Sequence, residues 1–491
     1  MEKSLNMKPL VKRKKNKITG DNSRVIVLPL IPSELPRIGN IILRVLNLSK
    51  EETEKLLQET LMLFADRHRD IQQQLMRHYD RVAEYIPQSS TINKVQKLLI
   101  GAFLTMEYSI ESAALFNPSI VPHPDQSLLP KGSMRFIMSL RATGEGHVSS
   151  IVFRSGIVDK NFLFNFDSVS EHVETPAMVH DPFYDHNLFQ LKLKDLRAWN
   201  DTSQTIMNKL SSFFTHAELK LSIQEVYLNP DFEADNWTIN VINWLADSNY
   251  KVKFDDETEV CERVIFPVSS NESKGIEDAR FVKFTHDDGE VTYYATYTAY
   301  NGHSILSQLI ETSDFQTFNI ATLNGKGIKD KGMALFPRKV NGKYAMLSRQ
   351  DGENNYIMFS DNLHFWHNAT LLQKPEQPWE FVQIGNCGSP IETDKGWLVL
   401  THGVGNMRRY SIGVILLDLN DPTKIIARLE EPLLSANEEE REGYVPNVIY
   451  SCGGMLFNEN LIIPYAMSDS ASRLAVVNVK DLFKKMKFTA K

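Results

Sequence analysis

The chain predicts a mainly β fold: a β-propeller with an α-helical N-terminal extension and a partly helical insertion. Three observations predict it. From about residue 117 onward, short apolar strand patterns alternate with turn residues. Five of these patterns, at 136–142, 293–300, 344–349, 397–402 and 461–466, read as central strands of small antiparallel sheets. The last four start 51, 53 and 64 residues apart, and a four-stranded blade takes roughly 40 to 50 residues. A β-sandwich would give shorter, more even intervals.

The elements follow in chain order. With 491 residues, two or more structural units are expected. Residues 1–20 carry Lys12, Arg13, Lys14, Lys15 and Lys17 and read as a disordered basic tail. Residues 21–116 read as an α-helical extension. Ser49 and Glu52 form a capping-box signature, and Leu56, Leu57, Leu61, Phe64, Ile71 and Leu75 keep helical spacing to about residue 85. A second helix is expected over about 92–115. His68 and His78 have no matching carboxylate–histidine pattern and read as surface histidines rather than metal ligands. The apolar stripe of these helices packs on its own unit or builds a homo-oligomer.

Residues 117–491 are expected to form the propeller, with an insertion at about 160–260. Within that insertion, 191–214 and 237–245 read as helical. Turn pairs punctuate the later strands, as in Asn341-Gly342 and Lys395-Gly396.

Composition narrows the function classes. Hydrophobic residues make up 42% and charged residues 23%, a globular balance. A net charge of -7 supplies no basic field for nucleic acid. No window reaches the apolar length of a membrane helix, and no signal core follows the basic N-terminus. Cys261, Cys387 and Cys452 are far apart and odd in number, which suits a reducing compartment, the cytoplasm.

Candidate chemistry sits at the strand ends. In Gly275-Ile276-Glu277-Asp278-Ala279-Arg280, two adjacent carboxylates precede a cation. A carboxylic acid in a pocket can protonate a departing sugar oxygen. By itself the hexapeptide reads more simply as a strand-start turn with a local Asp–Arg pair. Lys331, Arg349 and His402 form a cationic set suited to an oxyanion, although isolated lysines and arginines are usually surface charges. Asn117, Arg141, Tyr410 and Asp469 are polar and aromatic groups of the kind that hold sugars, and each could equally be a turn or structural residue.

Taken in order, these segments resemble glycoside hydrolase family 130, the mannoside phosphorylase family, over roughly residues 117–491. The motifs that carry the likeness are Phe116-Asn117-Pro118, Leu140-Arg141-Ala142, the Glu277-Asp278 segment, Leu335-Phe336-Pro337-Arg338-Lys339, Gly396-Trp397-Leu398 and Thr401-His402-Gly403-Val404. Arg441-Glu442-Gly443-Tyr444-Val445-Pro446-Asn447-Val448 and Tyr465-Ala466-Met467-Ser468-Asp469 complete the set.

The resemblance implies a five-bladed propeller with its pocket on the axis. It implies inverting cleavage of β-linked manno-oligosaccharides by inorganic phosphate, releasing α-mannose 1-phosphate. Asp278 would be the acid, relaying its proton through a sugar hydroxyl. Lys331, Arg349 and His402 would bind phosphate. Asn117, Arg141, Tyr410 and Asp469 would contact sugar or phosphate. Phosphate is a co-substrate, and no cofactor, metal, nucleic-acid or membrane partner is implied.

Two departures stand out. Gln383 replaces a usual lysine, and Lys331-Gly332-Met333 replaces a usual Arg-Asn-Gly. Arg408 or Arg409 could supply the lost charge. Some family members are β-mannoside hydrolases, so an inverting β-mannosidase is the runner-up, with Glu442 or Glu277 as its second carboxylate. No new carboxylate stands at Gln383, Arg349 or His402 to activate water, which favours phosphorolysis. A non-catalytic propeller that binds glycans or proteins is the third reading.

Overall fold

The computed structural model describes residues 9–87, 91–179, 183–303 and 305–489. Its framework is mainly β. All five predicted central strands are present: Met134–Thr143, Val291–Tyr300, Tyr344–Ser348, Gly396–Val404 and Asn460–Met467. Each is the second strand of an antiparallel sheet.

Counting along the chain, the first strands of the five sheets are Ala114–Pro122, Gly275–Thr285, Ala334–Leu335, Gln383–Asn386 and Ile449–Tyr450. Turn chemistry acts where the sequence predicts it. Asn341 and Gly342 both have positive φ and close a two-residue turn between Val340 and Lys343, as a type I′ hairpin requires.

The central strands are buried on both faces. In 460–467, Leu461, Ile463 and Tyr465 enter the core shared with the fourth sheet, while Ile462 enters the core shared with the first. In 396–404, Leu398 and Leu400 face the fifth sheet, and Trp397 and Val399 face the third. Successive side chains on a strand point to opposite faces, so two buried faces give a near-continuous apolar run. Five such cores join the first sheet to the second, the second to the third, the third to the fourth, the fourth to the fifth, and the fifth to the first.

The basic tail is a correction. Residues 1–8 lie outside the described residues, but Val11–Thr19 is a strand paired with Ala471–Asn478 at the edge of the fifth sheet. Val11 and Ile18 pack onto cores, and Arg13 Nε meets Glu440 at 3.2 Å. Lysines suit an exposed edge because they block further strand pairing. The run of charges therefore marks an edge strand rather than a solvated tail.

The helical readings also need adjustment. The capping box of Ser49 and Glu52 starts the helix Lys50–Phe64 as expected. The predicted 92–115 helix is Lys94–Phe103 only. It gives way to Thr105–Ser109, which pairs with Val25–Pro29, and 114–115 already belong to the first sheet. His68 and His78 are buried, not surface groups. His68 Nε2 lies 2.8 Å from Glu107 Oε1, and His78 Nδ1 lies 2.6 Å from Thr105 Oγ1. Both rings face the 105–109 strand, which the sequence reading took as helix.

In the insertion, the expected 191–214 helix is divided. His186–Asp195 and Asp201–Met207 are separate helices, because Arg197 takes positive φ and Asn200 caps the second. Phe213–Thr215 is a short strand, and Asn236–Asp247 is the other expected helix. These helices bury their own core around Leu193, Ile206, Phe214 and Ile242.

Candidate active site

The site grows from irregularities in the first strands. The Ala114–Pro122 strand loses register against its neighbour between Phe116 and Ser119, and Gly275–Thr285 does so between Glu277 and Arg280. Each bulge holds one residue with left-handed backbone: Asn117 (φ +48°) and Asp278 (φ +56°). A bulge re-aims a side chain off the ladder, and a non-glycine residue at positive φ persists only where its surroundings hold it. Here the two side chains meet, with Asn117 Nδ2 donating to Asp278 Oδ1 at 2.7 Å.

Cations surround this carboxylate. Arg141, on the strand beside Asn117, donates to Glu277 Oε1 at 2.7 Å and reaches Asp278 Oδ1 at 3.7 Å. Its guanidinium lies over the Phe116 ring. Lys331 Nζ stands 3.7 Å from Glu277 Oε2. Arg280 is buried and donates to the Tyr450 hydroxyl at 2.8 Å. Burial pushes the Asp278 carboxyl up, but Arg141, Arg280, Lys331 and the Asn117 hydrogen bond outweigh it and hold the group below the usual carboxylate range.

Asp469 sits in the turn after Asn460–Met467, also left-handed at φ +50°. Burial, and then the negative charge of Asp278, push its carboxyl up to about 6, against the pull of Arg141 and Arg408. In the unliganded site the available proton therefore resides on Asp469 more readily than on Asp278.

The third and fourth sheets carry the other half. Arg349 follows Tyr344–Ser348 and donates to Asp330 Oδ2 at 3.0 Å. The Gln383 amide donates to Gly352 O at 3.2 Å, and its oxygen accepts from the other Arg349 amino group. The oxygen of that amide lies 3.3 Å from His402 Nε2, and His402 Nδ1 donates to Asn386 O at 3.1 Å. Burial, then Arg349 and Arg280, push His402 down to about 3, so the ring is neutral. Tyr410 stacks on it at 5.9 Å with an interplanar angle of 12°. Gly385 permits this packing, since a Cβ there would lie 2.6 Å from His402 Cε1 and 3.2 Å from Arg349 Cδ.

The structure thus gathers Asn117, Arg141, Asp278, Lys331 and Asp469 around one carboxylate, and Arg349 and His402 with Tyr410 around Gln383. The electrostatic pull of Asp278 on His402 links the two halves. Buried Nε atoms of Arg141, Arg280 and Arg349, and Asn117 Oδ1, have no hydrogen-bond partner among the described residues. Arg408 is exposed, and its charge acts on Asp469. Glu277 is engaged by Arg141 and Lys331, and Glu442 is exposed.

Sequence reasoning missed Asp330, Asn386 and Tyr450, which orient Arg349, His402 and Arg280. The usable signal for Asp330 was its type, since Asp and Asn are the non-glycine residues most at ease at positive φ. Tyr450 gave no local signal.

A family model described as β-1,4-mannooligosaccharide phosphorylase matches residues 235–488. That span covers the third and fourth sheets and most of the second and fifth, and leaves Asn117 and Arg141 outside it. Among curated relatives, the 1,2-β-oligomannan phosphorylase of Thermoanaerobacter sp. (strain X514) is 36% identical over 226 residues, covering 44% of this chain and 74% of that protein. The β-1,4-mannooligosaccharide phosphorylase of Ruminococcus albus is 32% identical over 188 residues, covering 35% and 54%. Among solved structures, β-1,2-mannobiose phosphorylase from Listeria innocua, in complex with β-1,2-mannobiose, aligns with a TM-score of 0.45 at 20% identity, over 76% of this chain and 92% of that one.

Proposed function

The chain belongs to glycoside hydrolase family 130, and from that premise we propose that it cleaves β-mannosidic bonds of manno-oligosaccharides with inorganic phosphate, releasing α-mannose 1-phosphate. The observation that carries this reading is the left-handed Asp278, bound by Asn117 and facing a separate cationic half built on Arg349. One acid and one external nucleophile suffice for inversion, and phosphate needs no carboxylate base because it is already an anion.

In this reading Asp278 supplies the proton, relayed through a sugar hydroxyl. Asn117, Arg141, Tyr410 and Asp469 hold the sugar. Lys331, Arg349 and His402 hold phosphate, whose oxygens would satisfy the unpartnered Nε of Arg349. Phosphate arriving among the cations weakens their hold on the Asp278 anion and raises its pKa, which prepares it to carry a proton. The neutral His402 ring avoids adding a third charge beside Arg349 and Arg280 in the empty site.

The same reading makes the five sheets the blades of a five-bladed propeller with residues 117–491 as the catalytic unit, 21–116 as a helical extension and 160–260 as an insertion. The chain of five pairwise cores, which returns from the fifth sheet to the first, supports it. Buried free thiols at Cys261, Cys387 and Cys452 suit a cytoplasmic location. Exposed Met62, Leu63 and Phe103 would pair two copies through the helical extension. No cofactor, nucleic acid or membrane partner enters the scheme.

The deciding assay incubates the protein with β-1,2-, β-1,3- and β-1,4-linked manno-oligosaccharides, with and without phosphate, and measures mannose 1-phosphate and free mannose. The expected result is phosphate-dependent mannose 1-phosphate that falls by at least about 10²-fold in Asp278→Asn, the lower end for loss of a general acid. Free mannose at an equal rate without phosphate would instead make the enzyme a β-mannosidase.

A further inference from the structure

Away from that site, the inserted lobe meets the second sheet across a cavity of about 550 Å³. Tyr184, Leu188 and Phe189 wall it from the lobe, and Tyr250 and Ile320 wall it from the sheet. Its volume falls among small-molecule sites, which span about 300–1,000 Å³.

The helix His186–Asp195 turns Phe189, Lys192 and Leu193 inward, and Lys192 lines the cavity. Lys192 is 2% exposed. Its Nζ donates to Asn249 Oδ1 at 2.6 Å, an oxygen that also accepts from Thr322 N at 3.1 Å. Among the described residues no carboxylate pairs with it, and burial alone pulls its pKa down to about 7. The nearby His364 offers no compensation. Burial and the Lys192 charge push that imidazole down to about 3.

A lysine ammonium has three donors, and here one partner oxygen is shared with a backbone N–H. A buried cation without a counter-charge is unfavourable unless it deprotonates or an anion joins it. The cavity beside Lys192 leaves room for such an anion, and its walls set the rest of the ligand. They are mostly rings and aliphatic chains, with Asp185, Asn249, Lys251 and Asn319 as the other polar groups of the lining.

We propose that this cavity binds a small aromatic carboxylate, its ring among Tyr184, Phe189 and Tyr250 and its carboxylate on Lys192 Nζ. The ion pair supplies the counter-charge that Lys192 lacks among the described residues, and one negative charge matches that one cation. The site is separate from the Asp278 centre and does not depend on the reaction assigned to it.

The test titrates the full-length protein calorimetrically with 2-naphthoate and with 2-naphthamide, which has nearly the same shape and no charge. Saturable binding of the acid with Kd below about 1 mM, at least ten-fold tighter than the amide, is expected. Lys192→Met should abolish that preference, and saturating inorganic phosphate should leave it unchanged. Equal affinity for acid and amide, or no saturable binding of the acid, would overturn the proposal. So would displacement of the acid by phosphate, which would put it at the other site. If Lys192→Met does not fold, the acid–amide comparison on the native protein still decides.

Discussion

The two halves of the candidate site reach the same end, a fixed charged group, by different means. Around Asp278 the backbone does the positioning. Asn117, Asp278 and Asp469 all sit in left-handed conformations at bulges or turns, and the charge of Asp278 is closed in by Arg141, Lys331 and Arg280. Around Gln383 the residues Arg349, Gln383 and His402 themselves sit on ordinary backbone, left-handed residues appear among their partners Asp330 and Gly352, and close side-chain packing takes over. Arg349 is tied at both amino groups, and His402 is pressed against a residue that must be glycine. Strain holds the carboxylate half, and absent volume holds the cation half. The first should fail in chemistry when disturbed, and the second in phosphate affinity.

Arg349→Met is the largest test of that division. It removes a cation and leaves Asp330 without its partner. We expect kcat/KM for phosphate to fall by about 10² or more, the range seen when one preorganised oxyanion donor is lost. KM for the oligosaccharide should change less than two-fold. Steady-state kinetics with each substrate varied separately checks this. A drop in oligosaccharide affinity as large as that for phosphate would mean the halves are not separate.

How much of this was legible in sequence follows the same division. All five central strands could be found because turn pairs such as Asn341-Gly342 bound them, and burial on both faces makes them apolar throughout. The edge strand 11–19 could not, since its pairing partner is more than 450 residues away and its lysines imitate a solvated tail. The strand 105–109 was hidden because it directly continues a helix. At the site, Asp278, Arg141 and His402 were reached through ordered motifs, and Arg349 through its place at the end of a strand. The supporting residues Asp330, Asn386 and Tyr450 act through contacts made 19, 16 and 170 residues away along the chain, which local sequence does not encode.

Gly385→Ala probes the cation half more gently. The added Cβ would sit 2.6 Å from His402 Cε1 and 3.2 Å from Arg349 Cδ, so both rings of contact must shift. Overpacking of this kind costs about 1–3 kcal/mol. We expect a lower unfolding temperature and a phosphate KM raised by about ten-fold, a displacement worth about 1.4 kcal/mol. Unchanged phosphate KM, with the same loss of stability, would show that the glycine serves packing alone.

The last expected effect lies in the carboxylate half and is read as stability against pH. The folded-state pKa of Asp469 is raised to about 6 by burial and by Asp278, above an unfolded value of about 3.9. A carboxyl raised in this way favours folding most when protonated. Its contribution is therefore fully present below about pH 4 and is lost as the pH rises through about 6, a span worth at most about 3 kcal/mol. Asparagine does not titrate. Asp469→Asn should thus unfold at a higher temperature than the native protein at pH 8, with the gap closing towards pH 4.5, as thermal unfolding at both pH values would report. The gap should also shrink in an Asp278→Asn background, because the Asp278 anion is one source of the shift. A gap independent of pH would mean that the two carboxylates do not crowd one another, and that Asp469 is not where the site keeps its proton.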